Sequence, residues 1–200
     1  MMAMKKRGVF IVFEGIDGGG KSTQIKLISE YLKERGYELE LHMEPTEGEI
    51  GRLLWSYMRS KNRSFEPETE ALLFAADRIE HGKAILKAMG EGKVVISDRY
   101  LHSSLAYQGA AGVDPVWMKT LNKHALKPDL VVLLDIDPER SLERVSGRAK
   151  TVFEELDYLK RVRAEYLGYA EAGELVVVDA SQGIDAVHAE IRGLVDKLID

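Results

Sequence analysis

Short apolar runs alternate with amphipathic stripes along the chain, which predicts strands alternating with helices. Residues 9–13 are continuously apolar, and a run of this length favours a strand buried on both faces. From Lys21 onward, apolar residues recur at helical spacing. Further strands are predicted at 39–43, 94–96, 130–134 and 175–178, and further helices at 67–89, after Asp137, at 154–170 and at 184–199. This order predicts an α/β fold, a five-stranded parallel sheet with helices on both faces.

A glycine-rich stretch joins the first strand to the first helix. Residues 15–22 fit the pattern G-x-x-x-x-G-K-[ST], and a strand before it and a helix after it are the context that this phosphate-binding loop needs. An incidental glycine-rich turn is the alternative, which that context disfavours. Lys21 is expected to reach the β- and γ-phosphates and Ser22 to offer its hydroxyl to Mg²⁺. The predicted nucleotide site comprises Gly15, Ile16, Asp17, Gly18, Gly19, Gly20, Lys21, Ser22 and Thr23.

Polar residues follow two other predicted strands, at the edge where ligands bind in open α/β sheets. Asp98 and Arg99 come after the run 94–96. Asp98 is a candidate to orient Mg²⁺ or its waters, and Arg99 to clamp an acceptor phosphate through two parallel hydrogen bonds. The two residues could equally neutralise each other. Glu44 and Pro45 follow the second strand, and form either a ligand-binding turn or a surface turn.

Two side chains one helical turn apart suggest a site for a planar base. Phe74 and Arg78 share one face of the predicted helix 67–89, so they could stack on a base and hydrogen-bond its edge. The alternative is a core phenylalanine beside an arginine with a buried stem, and the spacing by itself favours that alternative.

Arginines recur every four residues near the end of the fourth strand–helix unit. Arg140, Arg144 and Arg148 are either a solvated helix face or cations for a transferred phosphate. We interpret the whole chain, 1–200, as a single domain, with a lid segment at about 144–154.

Composition excludes several classes of protein. The chain has 200 residues, enough for one sizeable core, and its lack of cysteine excludes disulfides and thiolate sites and suits a cytoplasmic protein. A formal net charge of -5 argues against a broad nucleic-acid surface. No apolar run is long enough to span a membrane. We therefore expect neither nucleic acid nor a membrane as a partner.

Several segments together resemble the thymidylate kinase family, whose members phosphorylate dTMP with ATP. They are residues 13–24, 72–78, 98–109 and 128–135, and the resemblance extends over nearly the whole chain. The phosphate-binding loop alone is common to many NTPases, whereas the segment 98–109 is fairly specific. The resemblance implies ATP and dTMP as substrates, Mg²⁺ as the cofactor of ATP, and a homodimer.

The resemblance also implies roles for single residues in dTMP binding. Phe74 would stack on thymine, Arg78 would bond a thymine carbonyl, and Arg99 would hold the dTMP phosphate. Asp17 would approach the sugar 3′-hydroxyl or the metal shell. Ser104 and Gln108 would lie near the base, and Tyr107 would crowd the place of a ribose 2′-hydroxyl.

The remaining assignments concern catalysis and the lid. Since position 18 is glycine, the resemblance is to the branch of the family that supplies a catalytic arginine from the lid. Arg148 is that candidate, beside Lys21, Asp17 and Arg99 as catalytic residues, and Arg144 is assigned to ATP.

The chain departs from the family's pattern at two places. Met43 stands where many relatives carry arginine, with Arg52 as a candidate replacement, and residues 151–154, Thr-Val-Phe-Glu, stand where Asp-Arg-Phe-Glu is common. Two other functions remain open: a kinase of another acceptor, such as a deoxynucleoside, and a nucleotide-dependent switch. A GTPase switch would need Asn-Lys-x-Asp, and residues 122–125, Asn-Lys-His-Ala, fail at the last position.

Overall fold

Five parallel strands form the centre of the molecule in the order β2-β3-β1-β4-β5. The computed structural model describes residues 8–60, 62–145 and 152–199. The predicted parallel sheet is confirmed, and the predicted strand positions agree within two residues at each end. The strands are β1 (Val9–Glu14), β2 (Leu39–Met43), β3 (Val94–Asp98), β4 (Leu130–Asp135) and β5 (Val176–Asp179).

The described residues form eight helices between and around these strands. The helices predicted to begin at Lys21 and to span 67–89, 154–170 and 184–199 are present, as is the one after Asp137. Three shorter helices, α2, α4 and α5, were not predicted. The helices are α1 (Lys21–Glu34), α2 (Glu49–Arg59), α3 (Pro67–Gly90), α4 (Leu101–Ala110), α5 (Pro115–Leu121), α6 (Pro138–Val145), α7 (Val152–Glu171) and α8 (Ile184–Ile199).

The missed helix α4 has a physical reason. Its buried side chains include His102, Ser104 and Gln108, so the apolar stripe that marks an amphipathic helix is interrupted by polar residues. A helix that buries polar groups does so because they have hydrogen-bond partners or ligands. The buried polar side chains that hid α4 from sequence analysis therefore indicate that this helix lies beside hydrogen-bond partners or a ligand site, at the carboxyl edge of the sheet.

The core is built on the central strand β1, whose residues Phe10, Ile11, Val12 and Phe13 are at most 1% exposed. Such a strand needs helices on both faces, because each face must be removed from water. Its carboxyl end, between β3 and β4, is where the glycine loop begins. Among the described residues, no helix combines the length and the apolar character that crossing a membrane requires.

Candidate active site

The glycine loop turns sharply out of β1 and opens directly onto the N-terminus of α1. Gly15 has φ +135°, and a Cβ there would lie 2.6 Å from the carbonyl oxygen of Leu134, so only glycine fits. Gly20, with φ +88°, precedes α1 without a side-chain cap. The first N–H groups of α1 are thus not bonded by a capping side chain, and they can receive phosphate oxygens.

Lys21 lies along the loop that it belongs to. Its ammonium donates to the carbonyl oxygens of Gly15 at 2.9 Å and Ile16 at 3.1 Å, and the residue is buried. Burial, reinforced by the charge of Arg99, lowers the pKa of Lys21 to about 8 against the opposing pull of nearby carboxylates. The ammonium is therefore held at the loop, and its contact with the β- and γ-phosphates stays a prediction.

Arg99 and Asp17 meet across this edge of the sheet. The guanidinium of Arg99 donates to Asp17 Oδ1 at 2.7 Å and to Ser103 Oγ at 3.0 Å, and it lies 5.2 Å from the ring centroid of Tyr107. Arg99 has φ +69°, a conformation that non-glycine residues rarely adopt and that concentrates at functional sites. Desolvation acts to raise the pKa of Asp17, but the charges of Arg99 and Lys21 lower it below its usual value.

Asp98 has a buried oxygen that lacks a partner. Its Oδ1 makes no hydrogen bond within the described part of the chain, and desolvation raises the pKa of its carboxyl despite Lys21 and Arg99 nearby. Ser22 and Asp98 line one cavity of about 650 Å³ with the glycine loop. A carboxylate oxygen without a partner beside a phosphate-binding loop fits a cation or its bound water. The described residues contain no group of three or more histidine or carboxylate side chains able to hold a metal, so Mg²⁺ would need phosphate and water as its other ligands.

Glu14 connects the glycine loop to α4 and was not identified from the sequence. This fully buried carboxylate accepts hydrogen bonds from the backbone N–H groups of Tyr100 and Ser103, at 3.0 and 3.1 Å, and from the hydroxyls of Ser103 and Tyr166, at 2.6 and 3.0 Å. These bonds offset the cost of burying its charge. The sequence signal that could have identified Glu14 is an acidic residue at the end of an apolar strand.

Arg78 lies in a buried polar network rather than on an open surface. Only 2% exposed, it donates from Nε to Glu44 at 3.0 Å, from Nη1 to Asn122 at 2.6 Å and from Nη2 to Ser104 at 2.7 Å. Of the two interpretations of Arg78 offered by the sequence, the structural one, an arginine with a buried stem, thus describes much of its environment. Nη1 carries two hydrogens and has one partner among the described residues. Asn122, which a GTPase switch would use for guanine, instead holds this arginine.

Comparison with known proteins assigns the chain to a family. The family model for thymidylate kinase matches residues 13–191. The chain belongs to the thymidylate kinase family. It is similar to probable thymidylate kinases of Thermococcus gammatolerans, 47% identical over 96% of this chain and 98% of that protein, and of Pyrococcus horikoshii, 47% identical over 94% and 96%. One from Methanocaldococcus jannaschii is 43% identical over 92% and 94%.

Family membership confirms the resemblance seen in the sequence and the enzyme class. The chain is a thymidylate kinase, which phosphorylates dTMP to dTDP at the expense of ATP. A nucleotide-dependent switch is accordingly excluded as the main function.

One side of the thymidylate kinase cavity was missed from the sequence. The loop after β5 and the start of α8 line it, through Ala180, Gln182, Ile184 and Val187. Arg144 donates from Nη1 to the carbonyl oxygens of Ala180 at 3.3 Å and Gly18 at 3.4 Å, so it joins this loop to the glycine loop. The rule that ligands bind beyond the carboxyl ends of parallel strands, applied to β5, would have identified these residues.

Of the two departures from the family pattern, the structure describes the side chain of Met43 but not those of residues 151–154. Met43 lines the cavity beside Glu44 and Trp55, whose indole N–H donates to the carbonyl of Pro45 at 3.0 Å. The peptide bond between Glu44 and Pro45 is cis. Arg52, the candidate replacement, donates to the backbone carbonyl of Glu47 at 3.0 Å. The lid candidate Arg148 and the nearby Lys150 lie outside the described residues.

Proposed function

We propose that phosphoryl transfer from ATP to dTMP takes place at the carboxyl end of β1, with the glycine loop on the donor side and Arg99 on the acceptor side. The observation that carries this proposal is the convergence of Lys21, Asp98, Asp17 and Arg99 at one edge of the sheet, although they come from two distant parts of the chain.

On the donor side, residues 15–23 bind the phosphates of ATP through backbone N–H groups and Lys21. Lys21 exchanges its bonds to the carbonyls of Gly15 and Ile16 for phosphate oxygens. Ser22 and Asp98 would hold Mg²⁺, directly or through water, and the bound ion would supply positive charge toward the phosphates of ATP. Arg144 is near the loop 180–182 and contributes to binding the nucleoside part of ATP.

On the acceptor side, Arg99 holds the dTMP phosphate and Asp17 the sugar 3′-hydroxyl. Phe74 stacks on thymine, and the second hydrogen of Arg78 Nη1 bonds a thymine carbonyl.

Three residues of α4 complete the acceptor site. Gln108 is buried, and its Oε1 has no hydrogen-bond partner within the described ranges, which fits an acceptor for the thymine N3–H. Ser104 holds Arg78 beside the base, and Tyr107, over which Arg99 lies, excludes a 2′-hydroxyl.

The chemical step needs positioning and charge neutralisation rather than a covalent intermediate. An oxygen of the dTMP phosphate forms the new bond to the γ-phosphorus while the bond to the leaving ADP breaks. That oxygen is already anionic, so no general base is required. Lys21, Arg99 and a cation from the lid, proposed to be Arg148, spread the charge that develops, and lid closure excludes the water that would hydrolyse ATP.

A coupled ADP-release assay with ATP, Mg²⁺ and a panel of dTMP, dUMP, AMP, CMP, GMP and thymidine tests the assignment. We expect the highest kcat/KM with dTMP, and no turnover after Mg²⁺ is removed by a chelator. Faster turnover of thymidine or of another monophosphate would contradict the acceptor assignment. The inactive variant Lys21→Ala controls for contaminating kinases.

We further propose a homodimer formed through α3, and a cytoplasmic location that suits nucleotide substrates and a chain without cysteine. Leu72, Ile79 and Leu86 recur every seven residues and are 49%, 47% and 56% exposed, so they form one apolar stripe along the helix. Sedimentation velocity should give a dimer for the parent protein and a monomer for Ile79→Asp. Val116→Asp, at an even more exposed apolar residue on α5, is the control and should remain dimeric.

A further inference from the structure

Two histidines extend the buried network around Arg78 toward the edge of the sheet. Glu44, whose Oε2 contacts Arg78, contacts His81 Nδ1 with Oε1 at 2.9 Å. His81 Nε2 lies 2.7 Å from His42 Nδ1, and His42 Nε2 lies 3.3 Å from Glu40 Oε1. The side chains of Glu44 and His81 are 3% exposed and that of His42 10%. The proposed phosphoryl transfer makes no direct use of either histidine.

The two imidazoles are joined by a hydrogen bond rather than by stacking. Their centroids are 4.9 Å apart and their planes are inclined by 24°. A centroid separation well beyond the 2.7 Å contact of the two nitrogens, in rings that are nearly coplanar, means that the rings lie end to end. A ring N–H of one histidine therefore points at the ring nitrogen of the other.

A hydrogen in each of these three contacts would set the number of protons on the pair. Ionised carboxylates only accept, so His81 Nδ1 and His42 Nε2 must both be donors. The contact between the rings needs a third hydrogen. Two neutral imidazoles carry two hydrogens, and two imidazoliums carry four, which would set N–H against N–H across 2.7 Å. The geometry thus corresponds to one shared positive charge.

The charges around the pair favour that state. Carboxylates lie at both ends of the pair, Glu44 beside His81 and Glu40 beside His42, whereas burial and the neighbouring His81 lower the pKa of His42 and oppose a charge on that ring. Burial raises the pKa of Tyr100, whose ring contacts His81, to about 12, and this phenol stays neutral. Asp77 is bonded by Thr46 at 2.6 and 2.7 Å. The charged groups facing the pair are Glu44 and Arg78 on one side, Glu40 with Lys93 on the other, and Asp77 and Glu80 of α3 in the same cavity.

On the basis of the acceptor site proposed above, we propose that His42 and His81 are positioning residues for Arg78. Their shared proton lets Glu44 divide its charge between two cations, which fixes the guanidinium where it can bond the base of dTMP. When the proton is lost, two hydrogens remain for three contacts, and Glu44 keeps Arg78 as its only cation. The carboxylate then draws the guanidinium toward itself, and dTMP binding weakens while ATP binding does not change.

The proposal predicts a specific pH dependence. The protonated pair binds dTMP more tightly, so affinity for dTMP falls as pH rises through the titration of the pair. By linkage, dTMP binding must take up protons in that range. We expect a loss of about tenfold in affinity, roughly the contribution of one hydrogen bond from a charged group that is no longer well placed.

Isothermal titration of dTMP and, separately, ATP at pH values from about 5 to about 8 tests this, across the range in which histidine titrates. The proteins are the parent, His42→Gln, His81→Gln and the control His102→Gln. His102 is a matched residue, buried and bonded to Glu174 at 3.1 Å on α4. Protonation of the dTMP phosphate affects all four proteins equally. It therefore cancels when the dTMP affinity of each protein is divided by that of His102→Gln.

We expect the parent and His102→Gln to lose dTMP affinity with rising pH. His42→Gln and His81→Gln should bind dTMP weakly at low pH, and their affinities should approach that of the control as pH rises. An unaltered pH profile in His81→Gln would overturn the proposal, and so would equal losses for dTMP and ATP, which indicate a structural role. Arg78→Lys separates a failure of the proposed acceptor site from a failure of the inference about the histidines. Unchanged dTMP affinity in Arg78→Lys would contradict the acceptor site itself, whereas weakened binding there with normal histidine variants would overturn only this inference.

Discussion

The guanidinium of Arg99 and the carboxylate of Asp17 lie 2.7 Å apart, joining the loop after β1 to the residue after β3. Both residues have proposed roles toward dTMP, one for its phosphate and one for its sugar. On that proposal, their ion pair would set the position of the acceptor relative to the glycine loop.

Arg99→Lys tests that arrangement. Lysine keeps the charge but lacks the planar fork that contacts Asp17 and Ser103 together, so we expect KM for dTMP to rise about 10–100-fold with little change in KM for ATP. Steady-state kinetics with each substrate varied in turn provides the measurement. Arg35→Lys, in a pair with Asp196 at 2.6 Å on the surface, is the control. Equal increases in both KM values would contradict the role of Arg99 in acceptor binding.

Lys21→Met tests the cost of keeping a charged amine in the glycine loop. The folded protein lowers the pKa of Lys21 from 10.5 to about 8, so the unfolded state binds more protons between these values and stability rises with pH across that window. Below pH 8 the buried charge destabilises the fold, by on the order of 3 kcal/mol before its hydrogen bonds are counted. We expect kcat to fall by several orders of magnitude, with a Tm at pH 7 no lower than that of the parent.

Thermal unfolding without nucleotide, together with kcat, checks this prediction. Lys26→Met, at an exposed lysine on α1, controls for the loss of one surface charge. A clear drop in the Tm of Lys21→Met would mean that the two bonds to the loop carbonyls outweigh the cost of burial.

Glu14→Gln tests the connection between β1 and α4. The substitution turns one accepting oxygen into an NH₂ group, which faces donors from Tyr100, Ser103 or Tyr166. We expect a loss of about 2–4 kcal/mol of unfolding free energy. Since α4 carries the proposed base contacts, kcat/KM for dTMP should fall as well. Denaturant unfolding gives the first quantity, and Glu139→Gln, at an exposed carboxylate, should change neither.

Arg148→Ala tests the lid. Gly18 supplies no charge to the transferred phosphoryl group, so we proposed a cation from the lid. We expect Arg148→Ala to lower the single-turnover rate far more than dTMP affinity. Lys150→Ala should have a smaller effect, because an ammonium lacks the planar fork of arginine. An unchanged transfer rate in Arg148→Ala would make Arg144, which contacts Gly18 at 3.4 Å, the next residue to test.

The sequence predicted those parts of the fold that obey short-range rules. Buried parallel strands are nearly continuous apolar runs, and β1, β3 and β4 were found for that reason. The loop that carries Lys21 was found because its chemistry requires glycine at fixed spacing. Helix α4 was missed because Ser104 and Gln108 are buried in place of apolar residues.

The polar networks escaped prediction because their members are far apart along the chain. Glu14 meets Tyr166 across 152 positions, and Glu44 meets His81 across 37, so no local pattern relates them. Family resemblance supplied roles for Phe74, Tyr107 and Arg78, but it did not indicate that Arg78 is held by Glu44 and Asn122.

The bond from Trp55 to the carbonyl of Pro45 gives the protein an internal optical reporter. The chain has two tryptophans, and Trp55 lines the cavity of the glycine loop whereas Trp117 packs against a separate apolar cluster beneath α4 and α5. Replacing Trp117 by phenylalanine would leave one emitter, at the wall of the nucleotide cavity. The fluorescence of that single indole would then follow occupancy of the cavity in real time, without a label on either substrate.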